Sequence, residues 1–234
     1  MTDFLTYLRE RAYPGRGILI GRSADDRKAV IVYFIMGRSA NSRNRIFETT
    51  EDGIRTRAFD ESKMEDPSLI IYHPVRCLKN GITVVTNGDQ TDTVKEFIEQ
   101  GKCYRHALLS RTFEPDGPNW TPRISGILKP DGCYNLSILK SLEGDDSCCC
   151  RYFYEYDAPK AGTGHFISTY AGFGDPIPSF QGEPVLMNVN AAAAAELAEQ
   201  VWDSLNPDNK VSLFVRYLDR TTGEADTVIL NKNV

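Results

Sequence analysis

Histidine is scarce in this chain, three in 234 residues, and no two fall at His-x-x-x-His spacing; the six cysteines include no Cys-x-x-Cys pair. The usual zinc patterns are therefore missing, and no metal is expected. Cys148, Cys149 and Cys150 are adjacent and would alternate faces if extended, while Cys77, Cys103 and Cys133 stand singly, so all six read as reduced thiols. No apolar run approaches membrane-spanning length, and the opening Met1-Thr-Asp-Phe-Leu-Thr-Tyr-Leu-Arg-Glu-Arg11 is charged and amphipathic, without a signal-peptide core. A cytoplasmic protein with no membrane partner is expected. Gly15-Arg-Gly-Ile-Leu-Ile-Gly21 fits neither Gly-x-Gly-x-x-Gly nor the P-loop, and no Gly-x-Ser-x-Gly elbow occurs. That argues against the common ATP and dinucleotide folds and against a covalent hydrolase, and no cofactor is expected.

What remains is an ordinary globular composition. Lys plus Arg number 27 against 32 Asp plus Glu, a net charge of -5, so the overall field repels nucleic acid and the arginines must act locally. With 41% hydrophobic and 10% aromatic residues the chain can bury a full core. Lacking repeats, low-complexity segments and linkers, residues 1–234 read as one domain; a homo-oligomer is compatible with the sequence.

Strand signals dominate. Arg16 to Gly21, Lys28 to Gly37, Arg45 to Thr50 and Ile54 to Phe59 are β-branched or aromatic runs separated by polar turns. Ser68 to Leu78 and Ile82 to Thr86 flank Lys79-Asn80-Gly81, a hairpin signal. Helical periodicity follows Asn87-Gly88, with Asp89 and Thr91 as cap candidates and Gly101 as terminator. A short helix is expected over Cys103 to Ser110 and a longer one over Asn190 to Leu205, where Leu197, Val201 and Leu205 recur by four. Further strands are expected at Arg123 to Leu128, Tyr134 to Leu142, Arg151 to Tyr156, His165 to Ala171, Val211 to Leu218 and Thr227 to Leu230. Many antiparallel strands with few helices predict an α+β fold, a four-layer α-β-β-α sandwich. The Gly- and Pro-rich stretch Gly162 to Gly182 reads as a surface loop or cover over a site.

Four polar clusters sit at strand ends or turns. The densest is Tyr33-Phe-Ile-Met-Gly-Arg-Ser-Ala-Asn-Ser-Arg-Asn-Arg45, an apolar strand entering a loop with three arginines, two asparagines and two serines. Guanidinium forks match phosphate or carboxylate, so a small phosphorylated ligand is expected there, although a solvated turn with surface ion pairs would show the same residues. The others are Tyr72-His-Pro-Val-Arg76, Thr86-Asn-Gly-Asp-Gln-Thr-Asp92 and Glu114-Pro-Asp-Gly-Pro-Asn-Trp-Thr-Pro-Arg123. The Thr86 turn leads into a helix N-terminus able to face an anion. Alternation sends Tyr72 and His73 to opposite faces, so only one can easily join a given pocket.

Taken in order, Gly37-Arg-Ser-x-x-x-x-Asn-Arg45, Tyr72-x-x-Val-Arg76, Thr86-Asn-Gly-x-x-Thr-Asp92 and Thr121-Pro-Arg-Ile124 resemble the archaeal-type IMP cyclohydrolase family and its bacterial relatives. The Arg38 loop is longer than the archaeal pattern, with Arg43 an added cation, and no motif anchors the chain beyond about Cys148. The resemblance implies a fold like that of the N-terminal-nucleophile hydrolases. Met1-Thr-Asp shows no processed nucleophile, and ring closure needs none. It also implies a small-molecule nucleotide substrate, 5-formamidoimidazole-4-carboxamide ribonucleotide, closed to inosinate with loss of water.

On that resemblance the catalytic residues would be Arg38, Tyr72, Asn87 and Glu114, and the substrate-binding residues Ser39, Asn44, Arg45, Asn87, Asp92, Thr121 and Arg123. Arg38 and Arg45 would hold phosphate or polarised oxygens, with Arg123 a further cation. Asn87 would hold the carboxamide or formyl group and Tyr72 would donate a proton. Glu114 or Asp116 would accept the amide proton or orient a water. Two other readings stand beside this one: a non-catalytic purine-nucleotide sensor on the same fold, and an amidohydrolase.

Overall fold

The computed structural model describes residues 1–172, 174 and 176–234. The chain enters through α1 (Phe4–Arg9) and the hairpin β1 (Arg16–Arg22) and β2 (Lys28–Met36), then α2 (Ala40–Arg43). β3 (Arg45–Thr50), β4 (Gly53–Ala58), β5 (Val75–Cys77) and β6 (Thr83–Thr86) lead to α3 (Gln90–Glu99) and α4 (Tyr104–Leu109). β7 (Arg123–Leu128), β8 (Tyr134–Leu142), β9 (Asp145–Tyr156), β10 (Thr163–Ser168) and β11 (Val185–Asn188) precede α5 (Ala194–Ser204), β12 (Lys210–Asp219) and β13 (Ala225–Asn231).

These strands form two antiparallel sheets, one ordered β11-β10-β1-β2-β12-β13 and the other β3-β4-β5-β6-β7-β8-β9. The α+β expectation is met. In β1 and β2 both faces are apolar because both are covered. Leu19, Val30, Val32 and Phe34 face α1 and α5 with Phe4, Leu8, Leu197 and Val201, while Ile18, Ile20, Ile31 and Tyr33 face the second sheet. On that sheet's other side Val84, Ile127 and Leu139 pack against Val94, Ala107 and Leu108 of α3 and α4. At Gly126 the two sheets approach so closely that a Cβ would lie 2.7 Å from Ile20 and 3.2 Å from Ile18 of the facing sheet.

Several boundaries differ from expectation. Ser68 to Leu78 is extended only over Val75–Cys77, because Asp66-Pro67 starts a turn in which the Ile70 and Ile71 amides both bond the Pro67 carbonyl. The strand expected at His165 to Ala171 lies at Thr163–Ser168, which shortens the Gly162 to Gly182 connection; positions 173 and 175 within it lie outside the described residues. β9 begins at Asp145 rather than Arg151, paired along β8. α5 starts at Ala194, since Ala193 is extended and Glu196 reaches back to the Ala192 amide at 2.9 Å.

Asn80-Gly81 turns β5 into β6 as expected, with Gly81 at φ +82°. Gly101 ends α3 at φ +73°, with open space where a Cβ would point. Gly101→Ala is expected to cost about 1 kcal/mol through backbone strain alone, lowering Tm by about 2–4 °C in a thermal melt. No helix among the described residues is long and apolar enough to cross a membrane.

Candidate active site

At one end of the sandwich β1 and β7 begin and β2 and β10 end, so the connections from both sheets converge there. They enclose a cleft of about 310 Å³ whose lining includes Tyr13, Arg16, Arg38, Ser39, Glu114 and Thr121, together with Tyr170, Asp116 and Asp66. Arg16 shares the strand parity of Ile18 and Ile20, so its side chain enters the space between the sheets. Arg38 leaves β2 at the cleft mouth and lies over the Tyr13 ring at 4.9 Å. The Arg38 loop winds into α2 because Ser39 and Ser42 form a reciprocal capping box. No described carboxylate pairs with Arg38.

Glu114 forms the acidic floor. It is 2% exposed, and burial pushes its carboxyl up to about 7, an effect that Asp116 adds to and that Arg16, Arg123 and Arg45 oppose. Its contacts are long: Asn87 Nδ2 at 3.4 Å and Arg16 Nη2 at 3.8 Å. Asp116, by contrast, is fully engaged, accepting from the Thr121 amide at 2.7 Å and from the Thr121 hydroxyl, which also bonds Tyr170 at 2.5 Å. Of the two carboxylates the sequence left open, Glu114 is the one free to take a proton.

Beside it lie donors without acceptors. Arg45 is fully buried, giving its Nε to the Ser42 carbonyl at 2.8 Å and its Nη2 to the Met36 carbonyl at 3.5 Å, while Nη1 has no partner among the described residues. Arg16 Nε is likewise buried and unpaired. The Tyr72 hydroxyl bonds Tyr33 at 2.8 Å and stands within electrostatic reach of both guanidiniums. Buried donors left unpaired are costly, so their clustering at a cleft marks a place for an oxygen-rich ligand.

Arg38, Ser39, Glu114 and Thr121 therefore line the cleft, with Arg45 and Tyr72 buried alongside it. Asn87 stands behind Glu114, its oxygen accepting from Ile124 at 2.7 Å and Gln90 at 3.1 Å and its nitrogen also bonding Pro122. Arg123 turns to the helix side, held by Gln90 and Asp89, each at 2.7 Å. Asp89 accordingly holds arginines, Arg111 among them, and makes no side-chain cap on α3. Asn44 and Asp92 are not brought to the cleft. Asn44 clasps the backbone of Asp60 through both ends of its amide, and Asp92 pairs with Arg76 at 2.9 Å and His73 at 3.1 Å on the outer side. Arg43 bonds Gly37 and Asn209, which settles its pairing.

Arg16, Tyr13, Tyr33 and Tyr170 belong to this end of the molecule but read as core or connection in the sequence. Only Arg16 left a signal, a cation at an inward position of an otherwise apolar strand.

A family model described as IMP cyclohydrolase-like protein matches residues 13–223. The IMP cyclohydrolase of Halobacterium salinarum is 30% identical over 157 residues, covering 64% of this chain and 76% of that protein. That of Methanopyrus kandleri is 27% identical over 191 residues, covering 72% of this chain and 89% of that protein. The Methanocella arvoryzae enzyme of the same name is 29% identical over 154 residues, 61% and 74% of the two chains.

Proposed function

As the chain belongs to the IMP cyclohydrolase-like family, we propose that it closes 5-formamidoimidazole-4-carboxamide ribonucleotide to inosinate with release of water. The observation that carries this reading is the pairing, in one cleft, of a buried carboxyl near neutrality with buried donors that lack acceptors. Ring closure needs both. The carboxamide nitrogen attacks the formyl carbon, forming the C–N bond, and Glu114 takes the proton that the nitrogen sheds. Negative charge that develops on the formyl oxygen faces Arg16, Arg45 and Tyr72. Tyr72 gives that oxygen its hydrogen, making a hydroxyl; protonated Glu114, with a pKa near 7, then returns its proton as the hydroxyl leaves as water, and the second ring nitrogen gives its proton back to Tyr72 as the C=N bond forms. The cleft holds the formyl group turned toward the amide, a positioning gain in a reaction whose two partners share one molecule.

Arg38 grips the phosphate at the mouth, with Ser39 beside it and Thr121 on the opposite wall. The order of helices and sheets supports a fold like that of the N-terminal-nucleophile hydrolases, in one domain over residues 1–234; action in the cytoplasm is a further part of the proposal.

The test is incubation of purified protein with the formylated ribonucleotide while absorbance reports inosinate. A sensor would bind without turnover, and an amidohydrolase would release ammonia; either result overturns the reading. Arg38→Ala is expected to raise KM about 10- to 100-fold, the weight of a charge-assisted contact, with kcat nearly unchanged in steady-state kinetics.

A further inference from the structure

Tyr33 lies on β2, fully buried, its ring stacked on Phe47 at a centroid distance of 5.7 Å. Its hydroxyl meets the Tyr72 hydroxyl at 2.8 Å, and no other hydrogen bond reaches it among the described residues. Two proton arrangements are open to such a pair. If Tyr72 donated to Tyr33, the Tyr33 hydrogen would be stranded in the core between the sheets, a penalty that buried hydroxyls avoid. If Tyr33 donates to Tyr72, the Tyr33 hydroxyl is satisfied and the Tyr72 hydrogen is released from the pair.

Among the described residues the Tyr72 hydroxyl makes no second hydrogen bond. Arg16 and Arg45 both act electrostatically on its hydroxyl, and a guanidinium accepts no hydrogen bond. The freed Tyr72 hydrogen then has no described side chain to receive it and is available to an oxygen that arrives with a ligand. Burial drives Tyr33 itself far above the ordinary phenol range, so it remains a neutral donor throughout the working pH range.

We propose that Tyr33 is a positioning residue for ring closure, donating its hydroxyl hydrogen to Tyr72 so that Tyr72 presents its own hydrogen to the substrate oxygen. Tyr33 never touches substrate. It orients and, through the linked hydrogen bonds, strengthens the donor that does. This inference rests on the cyclohydrolase reading and adds to it a residue that lies outside the cleft.

The experiment is a double-mutant cycle on the cyclisation rate with Tyr33→Phe, Tyr72→Phe and the combined variant. Tyr33→Phe keeps the ring and its packing on Phe47, and it is expected to lower kcat about 10-fold with KM within about 2-fold, a smaller loss than the roughly 10²–10³ of a direct oxyanion donor. The combined variant is expected to be no slower than Tyr72→Phe alone, since Tyr33 acts only through Tyr72. A merely structural role would instead raise KM while kcat falls, or give additive losses, and either result overturns the proposal. A Tyr33→Phe rate equal to wild type overturns it too. Wild-type protein that fails to make inosinate sinks the cyclohydrolase reading and this inference with it, whereas active wild type with additive losses sinks this inference alone.

Discussion

Glu114→Gln is expected to lower kcat by about 10²–10⁴-fold, the usual contribution of a positioned general acid–base group. The substitution keeps shape and the Asn87 contact while removing the one cleft carboxyl that no neighbour engages closely. The pH profile identifies the role. With the carboxyl at about 7, wild-type kcat/KM should fall as pH drops through that value, because the base becomes protonated; the variant should show no such limb. Stability moves the opposite way. The ordinary value of 4.5 is raised to about 7 in the folded protein, so the folded state holds its proton more tightly. The stabilising contribution is complete below about pH 4.5 and is lost as pH rises through about 7, on the order of 3 kcal/mol in all. Denaturant midpoints at pH 5 and pH 8 should show this loss in wild type and a flatter dependence in Glu114→Gln. A variant with wild-type turnover at pH 7 would remove Glu114 from the chemistry.

Arg45→Met is expected to separate activity from stability. Its Nη1 is one of the unpaired donors at the site, and losing it should cut kcat/KM about 10²–10³-fold. Yet burial pushes the Arg45 guanidinium below its ordinary range, a sign that the folded protein holds this charge at a cost. A methionine of similar length fills the space without a charge to desolvate. The urea midpoint should accordingly stay level or rise while turnover collapses, although the Ser42 and Met36 carbonyls lose their donor. Retained turnover within 3-fold would mean that Arg45 is a structural cation and that the reacting oxygen lies elsewhere.

How much of this was legible beforehand depends on what each residue type can signal. Strands such as β7 and β8 were readable to the residue because Arg123–Leu128 is largely apolar and Tyr134–Leu142 opens with apolar and polar residues in alternation, both bounded by turn formers. The 68–74 segment misled for the same reason: Leu69, Ile70 and Ile71 look like a strand, and only the two flanking prolines hint at a turn. In the site, Arg38, Ser39, Glu114 and Thr121 stood out because polar groups in connections are conspicuous. Polarity alone could not tell a ligand contact from an internal one, so Asn44 and Asp92 were drawn in although each is satisfied by its neighbours. Tyr33 was invisible for the converse reason. A tyrosine in an apolar strand is ordinary core, and only the distance to the Tyr72 hydroxyl distinguishes it.

Arg16, Tyr33, Arg45, Tyr72, Glu114 and Tyr170 come from six separate stretches of chain distributed over both sheets. Residues 16–72 carry four of the six, but Glu114 and Tyr170 follow far along the chain, so a fragment that ends before Glu114 lacks the proposed base. During refolding, turnover can return only after distant pairings close, such as β1 with β10, where Gly17 meets Ser168. Such long-range closure is the slow part of assembling sheet proteins. Recovery of inosinate formation should therefore trail recovery of far-ultraviolet signal, making the enzyme assay a report on completion of the whole fold.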